Sequence, residues 1–74
     1  SLEYLLGRDI LVAPVIDKGA TTKTVYLPED EWVHLYSGKE FDGGMVIVGA
    51  PVGEPPVFIR KGSKRFEELM SLAK

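Results

Sequence analysis

Seventy-four residues, 45% of them hydrophobic, allow one domain and exclude a disordered chain. There is no cysteine and only one histidine, which excludes disulfides, thiolate metal sites and a multi-histidine zinc site. Nine basic and eleven acidic residues, for a net charge of −2, are mixed along the chain, without the basic patch or stripe that nucleic acid requires.

Leu2, Leu5 and Leu6 have helical spacing and Gly7 stands where a helix would stop. Six residues are too few for an isolated helix, so this spacing predicts the last turn of a helix that begins upstream. Ile10–Ala13, resumed by Val15 and Ile16, is apolar on both faces and predicts a buried strand for later strands to pack against. Pro14 cannot donate to a ladder and is expected at an edge or a bulge.

Residues 17–20 (DKGA) read as a turn, and Thr22–Leu27 (TKTVYL), rich in β-branched and aromatic residues, as a strand. After Pro28–Glu31, the run Trp32–Tyr36 alternates, with Trp32, His34 and Tyr36 on one face and Val33 and Leu35 on the other. Residues 37–40 (SGKE) predict a second turn. Asp42-Gly43-Gly44 has the composition of a hairpin turn between Phe41 and the strand Met45–Val48. The Gly- and Pro-rich stretch 49–56 ends that strand, and Val57–Arg60 is the last. Ser63 is placed to cap a helix whose Phe66, Leu69, Met70 and Ala73 fall on one stripe. Short strands at roughly ten-residue spacing predict a mainly β fold, a small antiparallel β-sandwich or partly open barrel with a C-terminal α-helix. The expected division is residues 1–8 as the end of a preceding segment, 9–62 as the β domain and 63–74 as the helix.

The carboxylates fall mostly in turns, where a solvated acid is the default, and no pair stands out for acid–base work on a glycoside. Asp9, just before the buried run, is expected to bond nearby backbone amides. His34 has the pKa of a general base but no nucleophile motif beside it. No catalytic residue, metal ligand or cofactor loop is assigned: neither phosphate-binding glycine pattern occurs. Trp32 and Tyr36, with Tyr26 and Phe41 near them, are the candidates for contact with a sugar ring, against the simpler reading of cross-strand packing. No apolar run approaches the roughly 20 residues that span a bilayer, and SLEYLLGRD has none of the features of a signal peptide. The start reads as a cut through a longer protein. The compartment is not written in these residues, and the cytoplasm is the expectation.

Four runs in register, GRDILVAPV, VYLP, EWVHLYSGKEFDGG and APVGEPPVFIRKGS, resemble the region that follows the catalytic barrel in glycoside hydrolase family 31. The Glu-Trp-Val-His and Gly-Glu-Pro-Pro-Val-Phe runs and the helical ending are most similar to the bacterial sulfoquinovosidase branch. The resemblance covers about residues 4–63 and implies the proximal C-terminal β-sandwich domain of a retaining α-glycosidase. It implies as partner the upstream (β/α)8 barrel, which in that family carries the aspartate nucleophile and the aspartate acid/base. No position here matches those motifs, so the chain is expected to be inactive alone. A stand-alone carbohydrate-binding or protein-interaction module is the alternative.

Overall fold

A computed structural model describes residues 3–14, 19, 21–51 and 54–73. Leu2, Val15, Ile16 and most of the 17–20 turn lie outside the described residues. Seven strands follow in order: β1 (Tyr4–Leu6), β2 (Ile10–Val12), β3 (Thr22–Leu27), β4 (Trp32–His34), β5 (Glu40–Phe41), β6 (Gly44–Gly49) and β7 (Val57–Arg60). A short helix, α1 (Phe66–Met70), and a 3-10 turn over Ser71–Ala73 close the chain.

The strands form a five-stranded antiparallel sheet in the order β1-β2-β7-β4-β5 and a separate β3-β6 pair. Alternation along β7 decides how the layers stack. Phe58, opposite Leu11 and His34, turns one way; Ile59, opposite Ile10 and Val33, turns the other. Phe58, Leu11 and Trp32 bury themselves against Val25, Leu27 and Val48 of the β3-β6 pair. Ile59 and Leu35 pack against Leu69 of α1, with Ile10, Val57, Phe66 and Met70 around them. The result is a small β-sandwich with a helix on its other side, and the described strands form no closed barrel. Each such buried side chain contributes about 1.5–3 kcal/mol.

The centre of the sheet is β7, flanked by β2 and β4, and not the Ile10–Ala13 run. Leu11 and Ala13 are buried there, but Ile10 and Val12 are only half-buried. Pro14 falls beyond the ladder, whose last bond is Ala13 N–H to the Pro56 carbonyl at 3.0 Å.

The expected helical turn before Gly7 is instead β1, paired with β2 through Tyr4–Val12, Leu5–Leu11 and Leu6–Ile10. Three leucines in six residues do not separate helix from strand; the pairing partner does. Gly7 serves a turn after all, but at φ +66° in the β1–β2 connection.

Asp42-Gly43-Gly44 is not a hairpin either, because β5 pairs with β4 and β6 with β3. The turn carries the chain from one sheet to the other, beside the Pro28–Glu31 link that crosses the opposite way. A Cβ on Gly43 would stand 2.7 Å from Glu29 Cα and 2.8 Å from the Pro28 carbonyl oxygen. The glycine is there because two backbones touch.

At the C-terminal end, Ser63 Oγ accepts the Arg65 N–H at 3.0 Å and its carbonyl accepts the Phe66 N–H at 3.1 Å. Ser63 therefore shapes the turn leading into α1, whose N-cap Arg65 makes no side-chain cap bond. The stripe holds for Leu69, Phe66 and Met70, while Ala73 is exposed.

Candidate functional site

Strand β4 ends at His34, earlier than its alternation suggests. Trp32, Val33, His34 and Leu35 are all buried, and Tyr36 lies in the turn that follows. That separates the two sugar-contact candidates. Trp32 is 0% exposed, and its indole Nε1–H donates to the Pro28 carbonyl at 2.9 Å. The Arg60 guanidinium carbon sits 4.4 Å from its ring centroid. Trp32 has no ring surface to offer a ligand. Tyr36 is 45% exposed. Tyr26 faces outward on the β3-β6 pair opposite Met45, and Phe41 is half-buried with its ring edge-on to Phe58, centroids 5.9 Å apart.

His34 holds the β4–β5 turn. Its Nδ1 accepts the Ser37 N–H at 3.2 Å and lies 2.7 Å from Ser37 Oγ, which accepts the Lys39 N–H at 3.2 Å. Gly38, at φ +74°, donates its N–H to the His34 carbonyl at 2.8 Å. The imidazole packs edge-on to Phe58 at 5.3 Å and to Tyr36 at 6.2 Å between centroids. Because Nδ1 takes a backbone N–H, the neutral ring carries its proton on Nε2. Nε2 is buried and has no hydrogen-bond partner among the described residues. A buried polar group left in that state costs about 1–3 kcal/mol. Burial lowers the His34 pKa from 6.5; the Glu54 carboxylate pulls it up and Lys39 pushes it further down.

These residues border a cleft of about 430 Å³ between the β4–β5 turn and the end of β6. Tyr36, Ser37 and Lys39 line it on one side, and Ile47, Pro51 and Glu54 on the other. The Glu54 N–H donates to the Pro51 carbonyl at 3.0 Å. Sequence reading passes over Ile47 as a cleft residue, since its place on β6 is what sets it across the cleft from Tyr36.

A serine beside a histidine invites comparison with nucleophilic catalysis, but the base needs a third group to orient it. His34 Nε2 has none among the described residues, and Nδ1 and Ser37 are tied up in one turn. Three of the carboxylates, Asp30, Glu40 and Glu68, are held in ion pairs. The Glu31 N–H and then Arg60 hold Asp30 below its usual 3.8, and Arg65 holds Glu68 below its usual 4.5. Glu40 pairs with Lys61 at 2.7 Å. Asp9 acts through its backbone, its carbonyl accepting the Arg60 N–H at 2.8 Å. Among the described residues no group of three His, Cys, Asp or Glu side chains is placed to hold a metal ion. No helix among them is long and apolar enough to cross a membrane.

Residues 1–63 match the family model described as the glycosyl hydrolase family 31 C-terminal domain. The chain belongs to that family. Against the sulfoquinovosidase of Escherichia coli K12 it is 60% identical over 62 residues, 84% of this chain and 9% of that enzyme. A solved family 31 sulfoquinovosidase from E. rectale, bound to the aza-sugar inhibitor IFGSQ, superposes with a TM-score of 0.90 at 45% identity. That match covers 96% of this chain and 11% of the other. The cycloalternan-degrading enzyme of Trueperella pyogenes, solved with a covalent intermediate, gives a TM-score of 0.77 at 40% identity, over 82% of this chain and 8% of the other. The chain thus spans about a tenth of the length of its family 31 relatives.

Proposed function

We propose that this domain is a non-catalytic, structural part of a retaining α-glycosidase that hydrolyses α-glycosides of the sulfoquinovoside type. The observation that carries the reading is the family 31 C-terminal match over residues 1–63. The 60% identity to a sulfoquinovosidase supports the substrate class, and the covalent intermediate of the T. pyogenes relative supports retention.

In this proposal the barrel upstream supplies both catalytic carboxylates, and residues 1–8 lie on its side of the domain. Tyr4, Leu5 and Leu6 of the outermost strand are each about half exposed, an apolar strip that suits packing against the barrel. With β1 as its outermost strand, residues 9–62 make up the rest of the β domain and 63–74 its helical end. A chain without cysteine suits a reducing compartment, and a cytoplasmic parent belongs to the same proposal.

The test is to incubate the native-length polypeptide with an aryl α-sulfoquinovoside and with an aryl α-glucoside, following the anomer released by NMR. Faster turnover of the sulfoquinovoside, with the α-anomer appearing first, is expected. Turnover of neither glycoside, or first release of the β-anomer, overturns the proposal.

A further inference from the structure

The structural role proposed above makes no use of the cleft beside His34. The half-exposed ring of Tyr36 and the exposed side chain of Ile47 give it apolar walls. Glu54 and Lys39 give it one carboxylate and one ammonium, which cancel. Burial holds His34 neutral near pH 7. The cleft therefore carries no net charge, and its chemistry favours a neutral ligand with apolar faces and many hydroxyls. At about 430 Å³ it falls within the range of small-molecule sites, roughly 300–1,000 Å³. One polar atom beside it has no partner among the described residues: the Nε2–H of His34, a side chain only 8% exposed.

We propose that this cleft binds a neutral saccharide. The C–H face of a pyranose ring stacks on Tyr36 and rests against Ile47. Its hydroxyls donate to Glu54 and accept from Lys39. A further hydroxyl oxygen accepts from His34 Nε2 on a small shift of the exposed Tyr36 ring.

Hydrogen exchange read by mass spectrometry on the native-length polypeptide tests this, with millimolar isomaltose as the probe. Peptides covering residues 34–41 and 47–51 are expected to slow on adding isomaltose. Tyr36→Ala and Glu54→Gln are each expected to weaken the half-saturation concentration about tenfold. Absence of slowing overturns the proposal. Slowing that survives both substitutions overturns it too, because it is then transmitted from the active site. Peptides already slow before sugar, and unchanged by it, overturn it by showing that another part of the polypeptide fills the cleft. None of these readouts uses hydrolysis, so failure here is distinguishable from failure of the proposed activity.

Discussion

The guanidinium of Arg60 lies over the buried ring of Trp32, its central carbon 4.4 Å from the ring centroid, and the two residues stand directly opposite on β7 and β4. The same side chain donates from Nε to the Arg8 carbonyl at 2.6 Å and pairs with Asp30. Arg60 thus ties the β1–β2 turn and the β3–β4 crossing to the central strand. A lysine keeps the charge but loses the planar stack and the fork of donors. Arg60→Lys is expected to cost about 1–2 kcal/mol, the range for a shielded cation–π contact. Urea denaturation followed by Trp32 fluorescence measures it.

Gly43 tests the two crossings. Its neighbours at 2.7 and 2.8 Å are backbone atoms that cannot swing aside. Gly43→Ala is expected to destabilise by about 1–3 kcal/mol, as overpacking does. Gly62, where an added methyl group would meet nothing within 4 Å and φ is not positive, is the control. Gly62→Ala is expected to leave the urea midpoint within experimental error.

His34 predicts a pH dependence. Its folded pKa lies below the ordinary 6.5, so between the two values the unfolded chain binds a proton that the folded chain refuses. The stability it confers is complete above 6.5 and is lost as pH falls through the folded value. Asp30 and Glu68, lowered from 3.8 and 4.5, contribute stability that is lost only in more acidic solution, so the two windows separate. Urea midpoints are expected to drop between about pH 7 and pH 5. His34→Asn, which keeps an acceptor for the Ser37 N–H but does not titrate, is expected to flatten that slope.

Much of this architecture is legible in the residues, and what is not has a physical cause. TKTVYL and VFIR carry enough β-branched and aromatic character to fix β3 and β7 at their observed limits. The leucines before Gly7 carry no such signal, and pairing with β2 makes them a strand. The glycines at 43 and 44 read as a hairpin because local composition reports a turn and not which sheet receives the chain. Trp32 and Tyr36 read as one face because the apolar alternation continues through Leu35, where the backbone already turns. Ile47 is invisible as a cleft residue until the β3–β6 pairing is known.

The most direct test of a structural, non-catalytic role uses Phe58, which is fully buried at the centre of the sheet. Phe58→Ala should remove about 3–5 kcal/mol from the domain. The measurement is Tm and kcat/KM per folded molecule of the native-length polypeptide carrying Phe58→Ala, beside the hydrolytic activity of the 74-residue chain alone. A lowered Tm, an unchanged kcat/KM and an inactive isolated chain are predicted. Hydrolysis by the isolated chain, or a fall in kcat/KM with Tm unchanged, would contradict the account.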